Sequence, residues 1–369
     1  MTATPLGTPV QGVTLYSFTR FFHDRRLDFD DLVREVARRG LGPGLEIVGF
    51  QSIRDFPRVS EAVVSRFRAL IEETGLVPTS LATNADAGLR RDRRLTNDEL
   101  VDYMAEQIVA ARRLGFSIAR VQNSLTPDDM ERLLPVAERE GVALGMEIHS
   151  HHSVHHPLFE RQLERVVKLG SPLLGFVPDW GATMVGVPPS LYRKYRQRGL
   201  SEELLTEIDS LWHEVHRDGA PRDEETQGAR FGRIIQLAHR HGAGDYAIEL
   251  AVNTAGLFGH APVAEWADIL PWAVHTHGKF YEIDGNGDEP AVPIPDILDV
   301  YVKSGYSRSI SSEWEGFHWN DWDDAFDVIV GQQALMRRSA EASGSRMVAD
   351  AAEARSLLGG SAVASTAAS

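Results

Sequence analysis

The chain has 369 residues, no cysteine and a formal net charge of −15 at pH 7. The lack of cysteine excludes disulfides, thiolate metal sites and cysteine nucleophiles, so any metal must be bound by oxygen and imidazole ligands. The negative charge disfavours nucleic acid as a partner. No signal peptide pattern is present, and no stretch approaches the roughly eighteen apolar residues of a membrane span. We therefore expect a cytoplasmic protein that binds neither nucleic acid nor membranes.

Eight short apolar runs have the length and composition of buried parallel strands. They cover residues 12–16, 44–48, 79–82, 118–122, 143–149, 174–178, 273–277 and 309–313. Amphipathic segments with helical spacing lie between them, at 29–39, 59–74, 97–114, 127–140 and 157–169. All but one interval between strands fits a strand, a helix and two loops. The alternation predicts an α/β protein, a (β/α)₈ TIM barrel over residues 1–339.

The one long interval follows the sixth strand and predicts a helical insertion over residues 181–260. Its helical segments, at 201–217 and 223–241, lie on the face where barrel loops build active sites. The insertion is therefore either a lid or partner-docking surface, or an elaboration that packs on the barrel. A doubly wound open sheet is the alternative fold, but the glycine-rich nucleotide fingerprint is missing after the first strand.

The last segment of the chain, residues 340–369, is rich in Ala, Ser and Gly and has little aromatic content. Such a composition cannot bury much apolar surface. It predicts a flexible tail, with a possible short helix over residues 347–358.

Polar residues stand at the ends of the fifth to eighth predicted strands. Three pairs of ionisable residues are spaced two apart there: Glu147 with His149, His275 with His277, and Glu313 with Glu315. Side chains two apart on a strand share a face, so each pair is predicted to point into the barrel mouth. Burying so many ionisable groups is costly unless a cation neutralises them. Carboxylates with imidazole suit Mn²⁺, Mg²⁺, Co²⁺ or Zn²⁺.

These strand ends resemble the metal-binding set of the xylose isomerase-like barrel superfamily, which includes sugar isomerases, ketose 3-epimerases and inosose dehydratases. The resemblance covers residues 12–335 and is sharpest in HTHGKFYEIDGNGDEPAVPIPDIL and GYSRSISSEWEG. It implies four metal ligands: Glu147, Asp179, His277 and Glu313.

Within that superfamily, the segments EIHS and HGKFYEID are most similar to the large subunits of bacterial C-glycoside deglycosidases. This narrower resemblance implies a Mn²⁺-type cation and a small partner (beta) subunit in a hetero-oligomer. It also implies lyase-type cleavage of the carbon–carbon bond between a 3-oxo sugar and an aromatic aglycone.

The shared chemistry assigns roles to the remaining residues. A cation on the sugar carbonyl stabilises the enediolate formed when a base removes the adjacent proton. His149 is the predicted base, because it lies in phase with Glu147 and histidine exchanges protons near neutral pH. Lys279 shares the face of His277 and is predicted to hold a substrate oxygen, a solvated loop lysine being the alternative.

Further residues are predicted to bind substrate or to orient the ligands, with turn capping or core packing as the alternative. They are Gln122 with its neighbour Asn123, His275, Glu315 and Trp180. Aromatic residues around the mouth are candidates for stacking on an aglycone: Tyr16, Phe18, Phe21, Phe22, Trp180, Phe280, Trp314, Phe317 and Trp319.

Three other functions stay open at this point. A sugar isomerase, ketose 3-epimerase or inosose-type dehydratase would use the same cation and the same first proton abstraction. An apurinic-site endonuclease would need more metal ligands and a positive DNA-binding face, neither of which the sequence contains. A non-catalytic sugar-binding protein would keep the site without turnover.

Overall fold

A computed structural model describes residues 5–122, 124–215 and 223–359 of the chain. Its eight parallel strands form one sheet in the order β6-β5-β4-β3-β2-β1-β8-β7. The strands are β1 (Val10–Thr14), β2 (Gly44–Val48), β3 (Val77–Ala82), β4 (Ile118–Val121), β5 (Ala143–Ile148), β6 (Leu174–Pro178), β7 (Thr276–Phe280) and β8 (Ser309–Trp314). Parallel bridges from Phe176 to Ala273 and from Asp179 to His277 connect β6 with β7, so the barrel is nearly closed. The predicted TIM-barrel fold is confirmed.

Helices surround the barrel and connect its strands. The α-helices are α1 (Thr19–Asp24), α2 (Phe29–Arg38), α3 (Gly49–Ser52), α4 (Glu61–Thr74), α5 (Asn97–Leu114), α6 (Pro127–Glu140), α7 (Pro157–Leu169), α8 (Pro189–Gln197), α9 (Glu202–Val215), α10 (Glu224–Arg240), α11 (Tyr246–Ala251), α12 (Ile294–Lys303), α13 (Ala325–Ala342) and α14 (Ala351–Gly359). None of the helices in the described ranges has the length and apolar character that a membrane span requires.

Local sequence signals set where the crossover helices start and stop. α5 begins at a capping box in which Thr96 and Glu99 each accept a hydrogen bond from the other's backbone N–H. It ends at Gly115, whose φ of 94° lies in the left-handed region that favours glycine. Met104 and Ile108, on the inner face of α5, are fully buried. Each such side chain contributes about 1.5–3 kcal/mol through burial, which holds the helix on the barrel.

The largest difference from the predicted strands is at β7. The apolar run before His275 predicted a strand over residues 273–277, but β7 runs from Thr276 to Phe280. Residues Leu270–Trp272 form a 3₁₀ helix, and Ala273 makes only an isolated bridge to β6. His275 therefore precedes the strand, and Lys279 lies within it near the carboxyl end.

The predicted insertion after β6 is helical and comprises α8 to α11. Its apolar side chains, such as Ile208 and Trp212, are buried in the main core. At its start, α8 contacts loops at the barrel mouth, because Trp319 donates a hydrogen bond to Ser190 Oγ over 3.0 Å and Lys194 pairs with Asp321 over 2.5 Å. The insertion thus packs on the barrel and also borders the mouth on the β8 side.

The predicted flexible tail is wrong for the residues up to 359, because they pack across the amino-terminal end of the barrel. Val348 extends the edge of β1, accepting a hydrogen bond from the Gln11 N–H over 2.9 Å. Val348 and Ala354 join Val10 and Val77 in a small buried apolar cluster. The predicted short helix is present as α14, and residues 360–369 lie outside the described residues.

Candidate active site

The four predicted metal ligands come from four neighbouring strand ends. Glu147 is the penultimate residue of β5, and Asp179 directly follows β6. His277 lies in β7 and Glu313 in β8. The bridge between Asp179 and His277 and the pairing of β7 with β8 bring these strand ends side by side at the carboxyl end of the barrel. Parallel strands thus bring residues that are up to 166 positions apart in sequence to one mouth, since 313 − 147 = 166.

Their side chains converge on the imidazole of His277. The Nδ1 atom of His277 lies 2.7 Å from Glu147 Oε1 and 3.3 Å from Glu313 Oε2. One ligand atom each from Glu147, Asp179 and His277 lies within 4.8 Å of the others. All four side chains are buried. We call these four residues the outer cluster.

The outer cluster contains buried polar atoms without hydrogen-bond partners among the described residues. These atoms are His277 Nδ1, Glu313 Oε2 and Asp179 Oδ2, the last of which forms an ion pair with Lys279 at 2.7 Å. The short distance from His277 Nδ1 to Glu147 lacks hydrogen-bond geometry, so proximity alone does not satisfy the ring nitrogen. Buried polar atoms are rarely left unsatisfied, and oxygen and imidazole donors aimed at one point suit a divalent cation. The residues present therefore fit the implied metal ion.

A deeper group of residues, which we call the inner cluster, consists of Glu46, His275 and Ser309. Glu46, in β2, accepts from His277 Nε2 and from His275 Nε2, each over 2.9 Å. His275 Nδ1 lies 2.6 Å from Ser309 Oγ. All three residues have no solvent exposure. Glu46 thus fixes the His277 ring so that its Nδ1 atom faces the outer cluster.

Electrostatics explain how Glu46 stays ionised without solvent. Burial raises the pKa of Glu46, but His277 and His275 outweigh this effect and hold it well below its usual value. Burial likewise lowers the pKa of His277, yet the carboxylates of Glu313 and Glu46 raise it well above its usual value. Burial raises the pKa of Glu313 to about 8. Three carboxyl groups therefore surround the His277 imidazole, and a positive charge placed among them would favour the ionised form of all three.

Lys279 supplies part of that charge one layer above His277. Its Nζ atom lies 2.7 Å from Asp179 Oδ2, 3.1 Å from Glu315 Oε2 and 3.0 Å from His149 Nε2. Burial lowers the pKa of Lys279, but Asp179 and Glu315 raise it well above its usual value, so the side chain is an ammonium ion. Because it is only 1 % exposed, the alternative of a solvated loop lysine is excluded.

His149 borders the same group and is partly exposed. Its Nδ1 atom lies 2.5 Å from the Ser150 carbonyl oxygen, so this nitrogen carries the proton and donates it to the backbone. Its Nε2 atom then accepts from Lys279 and lies 3.8 Å from Asp179 Oδ2. The side chain is 28 % exposed, and its Nε2 atom lies beside the outer cluster.

Sequence reasoning missed Glu46 and a second charged residue, the half-buried Arg120 in β4. Arg120 NH1 lies 3.7 Å from Glu147 Oε2. Burial raises the pKa of Glu147, but Arg120 and His277 outweigh it and hold the pKa well below its usual value. A charged residue inside a short apolar strand was the available signal in both cases.

The predicted substrate-binding residues occupy different environments. Glu315 is buried against Lys279, and Gln122 follows β4 and is half-buried. The structure places His275 in the inner cluster, where it contacts Glu46 and so helps to orient a ligand, one of its two predicted roles. Trp180 is fully buried, with its ring 6.0 Å from that of Tyr301 in α12. Asn123 lies outside the described residues.

The barrel and its outer cluster define a member of the xylose isomerase-like TIM barrel family. Residues 34–329 match this family, and the chain belongs to it. The chain is 54 % identical to the C-glycoside deglycosidase alpha subunit of Arthrobacter globiformis. The alignment spans 357 residues, which is 96 % of this chain and 97 % of that protein. It is 53 % identical to a protein of the same description from Microbacterium trichothecenolyticum, over 96 % and 97 % of the two chains. It is 50 % identical to the 3'-dehydrocarminate deglycosidase alpha subunit of a Microbacterium species, over 91 % and 96 %.

Proposed function

We propose that this chain is the catalytic alpha subunit of a C-glycoside deglycosidase that cleaves 3-oxo-C-glycosides. The observation that carries the proposal is the 54 % identity along 96 % of the chain to a relative of that description. The convergence of Glu147, Asp179, His277 and Glu313 at the barrel mouth supports it, because the reaction needs a site for a developing negative charge.

Glu147, Asp179, His277 and Glu313 would hold a divalent cation, for which we propose Mn²⁺, with Mg²⁺, Co²⁺ and Zn²⁺ as alternatives. When bound, the cation supplies Lewis-acid stabilisation of the charge that develops on the sugar oxygens. Glu46 orients His277 for this role by accepting from its Nε2–H.

His149 is the proposed general base. Its Nε2 atom removes the proton from the sugar carbon beside the 3-oxo group, and the C–H electron pair forms an enediolate. That pair then creates a double bond between the first two ring carbons, and the bond to the aglycone carbon breaks. The aglycone carbon keeps the electrons of that bond and must gain a proton.

Lys279 is the proposed stabiliser of a substrate oxygen. Its three N–H donors face Asp179, Glu315 and His149. The single lone pair of His149 Nε2 accepts from Lys279, so this hydrogen bond must open before His149 can take the sugar proton. The freed donor then points into the site at the stage when negative charge develops on the substrate.

We further propose that a small beta subunit completes a hetero-oligomer. The similar relatives are described as alpha subunits, which implies such a partner for them. The reaction also requires a separate oxidoreductase that oxidises the sugar at its third carbon before this enzyme acts.

The test uses protein stripped of metal with EDTA and reloaded with Mn²⁺, Mg²⁺, Co²⁺ or Zn²⁺, with and without the beta subunit of the Arthrobacter globiformis relative. Each preparation is incubated with a 3-oxo-C-glucoside of a phenolic aglycone and, separately, with a panel of ketoses. We expect cation-dependent release of free aglycone. Conversion of ketoses alone would replace the proposal with a sugar isomerase or epimerase.

A further inference from the structure

Tyr16, Glu315 and His318 form a polar group beside the outer cluster. Tyr16 follows β1, and its hydroxyl lies 3.4 Å from Glu315 Oε1 and 3.3 Å from His318 Nε2. His318 Nε2 lies 3.9 Å from the same Glu315 oxygen. The other oxygen of Glu315 contacts Lys279 over 3.1 Å. The Glu315 carboxylate therefore lies between the Tyr16 hydroxyl and the ammonium group of Lys279, which contacts the proposed base His149.

Aromatic rings surround this polar group. The ring of Phe317 lies 5.3 Å from that of Tyr16, edge to face, and 4.3 Å from that of His318. Trp314 packs against Phe317 at 6.2 Å. Phe317 and Trp314 are 4 % and 2 % exposed, so they support the Tyr16 ring from below and leave the partly exposed rings of Tyr16 and His318 to contact an aromatic aglycone. An aglycone bound against these two rings would lie close to the Tyr16 hydroxyl.

The proposed deglycosidase reaction needs a proton at this place. His149 is committed as the base that removes a proton from the sugar. The aglycone carbon, which keeps the electrons of the broken bond, must receive a proton from another group. Lys279 and Glu315 are engaged in the buried ion pair. Tyr16 is partly buried beside them, and the His318 side chain is 43 % exposed.

We propose that the Tyr16 hydroxyl protonates the departing aglycone carbon and that His318 returns a proton to Tyr16 from solvent. The inference rests on the proposed deglycosidase function. In this step the Tyr16 O–H bond breaks and an aglycone C–H bond forms, using the electron pair of the broken sugar–aglycone bond. The phenolate then takes the proton of His318 Nε2–H, which water replaces. The proton on His149 returns to solvent, so protons balance over one turnover.

The surroundings keep Tyr16 in its protonated form, so it can give its proton only to a strong base such as the aglycone carbanion. Burial, with a further effect of the Glu315 carboxylate, raises the pKa of Tyr16 far above its usual value. The phenol is therefore protonated at every working pH. Its conjugate base would form only as the aglycone carbon accepts the proton, and the adjacent His318 then lies within hydrogen-bond distance to restore it.

The test separates proton removal from bond cleavage. Protein loaded with Mn²⁺ and beta subunit is incubated in D₂O with 3-oxo-C-glucosides of several phenolic aglycones. Deuterium entry at the sugar carbon beside the carbonyl and release of aglycone are followed by NMR. The variants are Tyr16→Phe and His318→Asn. The matched controls are Tyr103→Phe, a half-buried tyrosine on α5, and His23→Asn, an 86 % exposed histidine.

We expect Tyr16→Phe to lower aglycone release by about 100-fold, as for loss of a general acid, while deuterium exchange continues. The loss should be smallest for the aglycone whose carbanion is least basic, and His318→Asn should show a weaker form of the same pattern. Equal losses of exchange and release in Tyr16→Phe, or release at the control rate, would overturn the assignment. Failure of the wild-type protein in both reactions would instead refute the deglycosidase function.

Discussion

The outer and inner clusters contain the same kinds of side chain and share contacts with His277, yet they differ in hydrogen bonding. In both, atoms of three acidic or histidine residues lie within 4.8 Å of one another, close enough to bind an ion. The inner pair, Glu46 and His275, has a partner for each carboxylate oxygen and each ring nitrogen. The outer cluster has buried atoms without partners in the described part of the chain. Buried polar groups whose hydrogen bonds are all satisfied serve to position a neighbouring side chain, whereas buried lone pairs that converge without hydrogen-bond partners are suited to a cation.

The largest effect that this comparison predicts is that of Glu147→Gln in the outer cluster. Replacing one ligand carboxylate with an amide removes a negative charge and a strong oxygen donor from the cation site. We expect kcat/KM for aglycone release to fall by about 1000-fold, equivalent to about 4 kcal/mol of transition-state stabilisation. Steady-state kinetics and the metal content of dialysed protein measure the change.

The control for Glu147→Gln is Glu138→Gln, the same substitution at an exposed position of α6. Circular dichroism should show native secondary structure and cooperative melting for both variants. Retention of bound metal and of activity in Glu147→Gln would mean that the outer cluster is not the cation site.

An intermediate effect is expected for Glu46→Gln in the inner cluster. Glutamine can accept hydrogen bonds only on its oxygen, so one of the two histidine N–H groups loses its acceptor. Because His277 is then held less firmly, we expect cation affinity to fall by about 10–100-fold. Titration with Co²⁺, followed by its visible absorption bands, measures the affinity without any catalytic assay.

The two glutamate variants distinguish a ligand from an orienting group. At saturating cation, Glu46→Gln should recover most of its activity, whereas Glu147→Gln should not. If Glu46→Gln instead abolished the Co²⁺ spectrum as completely as Glu147→Gln, Glu46 would be a ligand itself, and the division into two clusters would fail.

The place of the outer cluster was predictable from sequence by a simple positional rule, whereas the choice of the four ligands came from the resemblance to the xylose isomerase-like superfamily. Glu147, Asp179, His277 and Glu313 lie at or near the carboxyl ends of parallel strands, and barrel geometry brings such ends together. Period-two alternation also predicted that Lys279 would share the face of His277, and it does. The predicted alternation of side chains in β7 was correct even though the predicted strand began three residues too early.

The inner cluster was not predictable, because depth along the barrel axis depends on strand register. Period-two alternation predicted that His275 and His277 share one face, but the sequence does not indicate which of the two side chains lies at the barrel mouth. Pairing with β8 places His277 beside Ser311 and leaves His275 below the strand, where it meets Glu46 of β2. Glu46 is 229 positions from His275, and the sequence of β2 does not indicate that Glu46 would contact His275. The apolar residues before His275 resembled the start of a strand, although β7 begins only at Thr276.

The smallest effect is expected for Ser309→Ala, at the far end of the inner cluster. The substitution removes the hydroxyl 2.6 Å from His275 Nδ1 and leaves a fully buried ring nitrogen without a partner. We expect the free energy of unfolding to fall by about 1–2 kcal/mol, with cation affinity unchanged. Chemical denaturation and Co²⁺ titration measure the two quantities.

Ser311→Ala is the matched control for Ser309→Ala. Ser311 lies on the same strand and is equally buried, but its hydroxyl has no hydrogen-bond partner among the described residues. Its removal should leave stability unchanged or raise it. Equal destabilisation by both variants would show that the hydrogen bond to His275 does not contribute to stability. A loss of cation affinity in Ser309→Ala would show that Ser309 and His275, as well as Glu46, are needed to hold His277 in position.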